Sequence, residues 1–352
     1  MVSVTIKDVA KRANVAPSTV SRVISDSPKI SERTKRKVRK VMEEMGYHLN
    51  YNARVLVQRS TKTIGIVMKN SASQSLHNPF VPEVIRGISS SCRQLDYSIN
   101  LTTGESEEAI FEDVVKMVQG KRVDGLIVLY SKKDDKVVPY LKENGIPFVV
   151  VGKPMTGSST IMSVDNDNIQ AAQEVTEYLI GLGHKRIAYI GQESEFQFAK
   201  DRLNGYLAAM QEHDLKPDED YYLKSFHFDR EKGKQVVEKL MALPEPPTGL
   251  IVTDDINAMI VLLVLQEMDI KVPDEVSVVG FNNTIVSTLS SPALTSVDTQ
   301  TYQLGHESAR SLIELINDPG MFKKSVIIPT VLEIRESCAP CKEVIEPLTE
   351  IR

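Results

Sequence analysis

The chain has 352 residues, 41% of them hydrophobic and 25% charged, the balance of a folded globular protein long enough for two or three domains. The longest uninterrupted apolar run, Ala258–Leu265, is too short to span a bilayer, and the chain start, Met1-Val2-Ser3-Val4-Thr5-Ile6-Lys7-Asp8, shows no secretory leader. The expectation is a cytoplasmic protein with no membrane partner. Its net charge of −5 is uneven: residues 1–60 carry 13 Lys and Arg against 5 Asp and Glu, net +8, and the remaining 292 carry 29 against 42, net −13. A basic head on an acidic body points to a polyanion partner for the head alone. Cys338 and Cys341 have C-x-x-C spacing, but no second ligand pair or βαβ setting surrounds them, so neither a metal nor a redox role is expected.

Thr5 with Asp8 is a capping-box pattern, and Val9, Ala10 and Ala13 then mark one helical face. Asn14 suits a tight left-handed turn, and Pro17 suits the first position of a second helix running to Ile24. Two short helices joined by a turn of about four residues make a helix-turn-helix. Its second helix enters the major groove N-terminus first, which places Pro17, Ser18 and Arg22 at base edges. Arg22 can donate two bonds to guanine. A third helix starts at the N-cap Ser31, presents Val38, Val41, Met42 and Met45 on one face, and stops at Gly46. Its charge run, Arg33 to Lys40, is expected to be mostly solvated, with contacts to phosphate near the helix start.

The runs Thr5–Ile24 and Ile30–Val38, with Gly46-Tyr47, resemble the signature of the lactose-repressor family. The resemblance implies DNA contacts by Thr5, Pro17, Ser18, Thr19, Ser21, Arg22, Ser31 and Thr34. Ala16 departs from it, because the family usually has a capping hydroxyl there; loss of that cap costs about 1 kcal/mol. Residues 50–61 follow as a linker, too short for a stable isolated helix. The resemblance implies that they order on DNA as paired minor-groove helices, with Asn50 and Ala53 in contact and Leu56 as a wedge that kinks the duplex. An ordinary linker is the alternative reading.

From Lys62 onward strands and helices alternate. The expected strands are Thr63–Met68, Ser98–Thr102, Gly125–Leu129, Phe148–Gly152, Ile187–Gly191, Gly249–Thr253 and Val276–Phe281. The expected helices are Glu83–Leu95, Glu107–Gln119, Ile169–Leu182, Lys200–His213, Arg230–Leu243, Asn257–Met268 and Tyr302–Ile316. Short unalternating apolar runs indicate buried parallel strands. The fold class is therefore an all-α helix-turn-helix head, residues 1–49, on an α/β body of doubly wound parallel sheets. Ligands bind beyond the carboxyl ends of such strands, which points to Lys69, Tyr130, Lys153, Asp254 and Asn282.

Asn78-Pro79-Phe80, Glu83–Ile88, Gly183–Ala188, Arg202–Tyr206, Val278–Phe281 and Ile334–Ser337 continue the resemblance. The body looks like a two-lobed periplasmic sugar-binding protein. The resemblance implies one lobe of residues 62–162 with 299–322, another of 163–298 with 323–340, and a tail beyond. Sugars are held by polar groups and aromatic faces. Phe80 fits the aromatic part, with a core phenylalanine as the alternative. Phe196 is a second stacking face at the cleft rim, and Asn78 opens the same segment as Phe80. Arg202 and Asp254 match family pocket positions. At Asn282 many relatives carry aspartate; an amide keeps hydroxyl pairing and loses the charge.

The expected function is a homodimeric repressor on pseudo-palindromic double-stranded operator DNA, released by a sugar effector. The whole chain is most similar to maltose-operon repressors of Gram-positive bacteria, which implies maltose or maltodextrin. The close alternative is a global catabolite regulator with a phosphorylated carrier protein as corepressor. A secreted sugar-binding protein would need a leader and no basic head. An enzyme is the other rival, but no nucleophile elbow or phosphate loop is present. Asp254-Asp255 are adjacent and expected to face apart, not to pair as acid and base. No catalytic residue, metal or cofactor is expected.

Overall fold

A computed structural model of the chain describes residues 4–47, 60–68, 77–155, 157–191, 195–216, 219–224 and 229–342. The head comprises α1 (Ile6–Ala13), α2 (Pro17–Ile24) and α3 (Glu32–Glu44), closed over Val9, Ala10, Ala13, Val20, Val23 and Val38. The Asp8 carboxylate accepts from the Thr5 backbone N–H at 2.8 Å and from its hydroxyl at 2.7 Å. Asn14 ends α1 in the left-handed conformation. Ala16 offers α2 no side-chain cap, and Pro17 stands first in that helix.

One member of the basic run departs from the solvated-face expectation. Lys35 is 5% exposed and pairs with Glu32 at 2.9 Å and Asp26 at 3.1 Å. A cation this deep needs such partners, so Lys35 ties α3 to the turn after α2 and is withdrawn from phosphate.

Among the described residues the body holds two six-stranded sheets. The first contains β1 (Thr63–Val67), β2 (Ser98–Leu101), β3 (Gly125–Val128), β4 (Phe148–Val151), β5 (Met162–Asp165) and β11 (Ser325–Ile327), in the order β11-β5-β4-β3-β1-β2. All its pairings are parallel. The second contains β6 (Ile187–Gly191), β7 (Tyr222–Lys224), β8 (Gly249–Val252), β9 (Ser277–Phe281), β10 (Thr295–Asp298) and β12 (Val331–Glu333), ordered β12-β10-β9-β8-β6-β7. Only β12, on β10, runs antiparallel. Every residue of β1, β3, β4, β6, β8 and β9 is buried, as strands covered on both faces require.

The covering helices are α4 (Phe80–Gln94), α5 (Glu107–Gln119) and α6 (Val137–Glu143), then α7 (Asn168–Gly181), α8 (Gln197–Glu212) and α9 (Arg230–Met241). They continue with α10 (Asp255–Glu267), α11 (Ile285–Leu289) and α12 (Thr301–Asn317). Two pairs touch backbone to backbone at glycine. A Cβ on Gly87 of α4 would lie 2.0 Å from the Tyr302 carbonyl oxygen of α12, and one on Gly205 of α8 would lie 2.1 Å from that of Ile169 in α7.

The lobe borders move by a few residues. Residues 162–165 and 325–327 are strands of the first sheet, so cuts at 162/163 and 322/323 would sever it. The chain instead passes between sheets at 166–167, 299–300 and 328–330. The first passage binds the other two: Asn166 Nδ2 donates to the carbonyls of Thr299 at 3.0 Å and Ile328 at 2.9 Å.

Candidate DNA-reading head and inter-lobe cleft

On α2 the first two residues and the one a turn later face solvent: Pro17, Ser18 and Arg22 are exposed, with Thr19 and Ser21 half-buried beside them. Val20 and Val23 hold the opposite face in the head core. The Arg22 guanidinium has no ion pair among the described residues, which leaves its fork available to a base edge. Ser31 accepts the Thr34 N–H at 3.3 Å and shares a hydroxyl contact with Thr34 at 2.9 Å. Asn50, Ala53 and Leu56 lie outside the described residues, as does Lys69.

Beyond the strand ends the two lobes meet through polar side chains. Asn78, just before α4, donates Nδ2 to Asp254 Oδ2 at 3.0 Å. Asn282, at the end of β9, donates to the same oxygen at 3.4 Å. The other Asp254 oxygen accepts the Ile256 N–H at 2.8 Å and caps α10. Burial raises the pKa of Asp254. Phe80 packs on the first-lobe core and also lines, with Asn282, a cavity of about 870 Å³. Glu83, Arg86, Ile285 and Tyr302 complete much of that wall.

Arg202 of α8 is 5% exposed. Its Nε donates to Asn168 Oδ1 at 2.9 Å and its Nη1 to the Thr253 carbonyl at 3.0 Å. The guanidinium lies 4.3 Å from the Phe281 ring centroid. Burial lowers its pKa. Among the described residues two of its donors have acceptors, and a guanidinium has five N–H groups. The remaining donors make this buried group a natural ligand for hydroxyls.

Other expected cleft residues lie elsewhere. Tyr130 is buried and donates its hydroxyl to Asp135 at 3.0 Å. Phe196 is 2% exposed, packed in the same first-lobe cluster as Tyr130 and stacked on Phe198, so its ring is no open rim. Lys153 is exposed, and its carbonyl accepts the Ser131 hydroxyl at 2.6 Å. The sequence reading missed Asn166 and Asn168. Asn168 joins Asp165, at 3.1 Å, to Arg202. Both follow β5, a strand without an apolar run, so no sequence pattern singles them out.

Asp255, the first residue of α10, takes partners separate from those of Asp254, the cap of that helix. Its carboxylate accepts from the Ser296 hydroxyl at 2.6 Å, the Thr284 N–H at 2.6 Å and the Thr284 hydroxyl at 2.9 Å. Burial nonetheless pushes its pKa up to about 7. This folded value lies above the unfolded one, near 4. The stabilisation is therefore fully present below about pH 4 and is lost as pH rises through about 7. Asp255→Asn, which keeps an acceptor for Thr284, should remove that slope. Urea unfolding should show the wild type losing stability relative to the variant between about pH 5 and about pH 8. A difference independent of pH would contradict the assignment.

His184 is structural in its contacts. Its Nε2 lies 3.1 Å from the Ala339 carbonyl, which can only accept, so Nδ1 accepts from Thr248 at 3.0 Å. Cys338 and Cys341 take separate partners, the Val278 carbonyl and Thr248, and burial pushes the Cys338 thiol up to about 11.

Residues 5–50 match the bacterial regulatory proteins of the lacI family, and residues 176–338 match the periplasmic binding protein-like domain. The regulator MalR of Staphylococcus xylosus is 37% identical over 97% of this chain and all of its own. The chain belongs to the LacI family. Its head and two-lobed body are those of a LacI-family, DNA-binding transcriptional repressor. The solved structure of a probable maltose operon transcriptional repressor malR from Staphylococcus areus superposes with a TM-score of 0.73 at 28% identity, covering 79% of this chain and 98% of that one. Catabolite control protein A of Priestia megaterium is 32% identical over 95% of this chain and 99% of its own. A solved LacI-type regulator from Bacillus cereus subsp. cytotoxis superposes with a TM-score of 0.77 at 46% identity, covering 79% of this chain and 98% of that one.

Proposed function

We propose that this LacI-family repressor controls a maltose or maltodextrin operon in the cytoplasm and leaves its operator when the sugar fills the inter-lobe cleft. The single observation that carries the effector site is the buried Arg202 guanidinium, with donors to spare, beside the Asn78–Asp254–Asn282 cluster. Sugar hydroxyls bound there replace or reinforce contacts that join the lobes. An effector shifts the lobes only if its affinity differs between their arrangements. The maltose assignment rests on likeness to the MalR-type relatives.

In this reading Pro17, Ser18, Thr19, Ser21 and Arg22 face the major groove, while Thr5, Ser31 and Thr34 lie near phosphates. Asn50, Ala53 and Leu56 enter the minor groove. A homodimer matches a pseudo-palindromic operator through its own two-fold symmetry. Likeness to catabolite control protein A favours a second reading, in which a phosphorylated carrier protein acts as corepressor. A mobility-shift titration separates the two. Maltose should release the DNA without any added protein. Tighter binding only on addition of the phosphorylated carrier would establish the second reading instead.

A further inference from the structure

We propose that Asp124 is the positioning residue that anchors the DNA-head linker to the body and couples it to the arrangement of the lobes. The proposal rests on the repressor reading above and adds to it the place where the linker is held. Asp124 stands immediately before β3. Its Oδ1 accepts the Thr61 N–H at 2.7 Å and the Thr61 hydroxyl at 2.8 Å. Its Oδ2 accepts the Ser60 hydroxyl at 2.5 Å and the Lys62 N–H at 3.0 Å. Four donors saturate a carboxylate, and all four come from Ser60, Thr61 and Lys62, where the linker joins β1.

The anchor is rigid as well as occupied. Lys62 sits at φ +48, in the left-handed region that a lysine rarely adopts. Its carbonyl accepts the Ser98 N–H at 2.7 Å, and its ammonium lies 4.3 Å from the Tyr97 ring centroid. Asp124 also closes its own backbone onto β1, donating its N–H to the Thr63 carbonyl at 2.8 Å.

The far end of the same strand touches the other lobe. β3 runs four residues, about 13 Å, and the chain then reaches Ser131–Lys133. The Lys133 N–H donates to the Glu195 carbonyl at 2.9 Å, and the Gln197 N–H to the Ser131 carbonyl at 3.1 Å. Phe196, between these two residues, is seated in the first-lobe cluster. A single buried strand thus has the linker at one end and a bridge to the second lobe at the other. A shift of the lobes at Glu195–Gln197 is felt along β3 at Asp124. A carboxylate that merely closed a turn would need none of this connection.

The test uses the full-length protein and an operator duplex selected from random DNA with the wild type. Fluorescence anisotropy gives operator affinity with and without maltose, and calorimetry gives maltose affinity of the DNA-free protein. Asp124→Ala should weaken operator binding by about tenfold or more, because several charge-assisted bonds are lost. The ratio of operator affinities without and with maltose should fall towards one, while maltose affinity stays within about twofold. Asp124→Asn keeps acceptors for Thr61 and loses those for Ser60 and Lys62, so it should fall between, and it decides the matter if the alanine variant does not fold. Operator affinity and ratio both at wild-type values would overturn the proposal. A parallel loss of maltose affinity would also overturn it, by showing general damage to the lobe. A wild type that ignores maltose would sink the maltose reading, and the operator-affinity loss would then decide the role of Asp124 alone.

Discussion

Arg202→Ala is expected to abolish the response to sugar. The wild-type guanidinium is buried between the Asn168 amide, the Thr253 carbonyl and the Phe281 ring. In the account given, its free donors bind effector hydroxyls. Hydrogen bonds from a charged donor contribute about 1.5–3 kcal/mol each, so losing two weakens maltose binding by about 100-fold or more. Stability should change less than affinity. The variant removes the Arg202 donors from the Thr253 carbonyl and from Asn168 Oδ1 and opens a cavity against Phe281, costing about 2–4 kcal/mol. Removing a buried cation with no carboxylate in contact offsets part of that. Calorimetry with maltose and urea unfolding report the two effects separately. Maltose affinity within about threefold of wild type would remove Arg202 from the effector site. Arg202→Lys should not restore binding, since an ammonium cannot reproduce two divergent guanidinium bonds.

Arg22→Ala is expected to cost about 1–3 kcal/mol of operator binding and to relax specificity at one base pair per half-site. Arg22 lies on the exposed face of α2, one turn beyond Ser18, and no ion pair among the described residues holds its guanidinium. The fold of the head should survive, because its core is formed by residues on the opposite face. The discriminating measurement compares the selected operator with duplexes substituted at each position and with random DNA. Equal losses on operator and random DNA would reduce Arg22 to a phosphate contact, since phosphate contacts weaken all sequences alike.

Much of this architecture was legible because apolar runs and helical spacing are strong signals. β6 and α5 match their expected limits, and the head follows its capping and turn residues almost position by position. β5 and β10 escaped because each carries a buried serine that interrupts the apolar pattern. Ser163 shares a bond with Ser325, and Ser296 donates to Asp255, so the polarity is satisfied inside the fold. Lys35 was hidden in a basic run for a related reason: Glu32 is one turn away, but Asp26 belongs to another segment. The placement of Asn78, Phe80, Arg202, Asp254 and Asn282 near one another was readable from motif position. That of Tyr130 and Phe196 was not, because the strand-end rule locates a residue without saying which way its side chain turns. Asn166 and Asp124 act by closing chain segments onto each other across long sequence separations, which no local pattern encodes.

Selection of binding sites from random double-stranded DNA by the full-length protein, run with and without maltose, tests the central claim most directly. A pseudo-palindromic sequence should be enriched in the sugar-free arm and lost from the maltose arm. Enrichment that is identical in both arms, or that requires maltose, would contradict release of the operator by sugar.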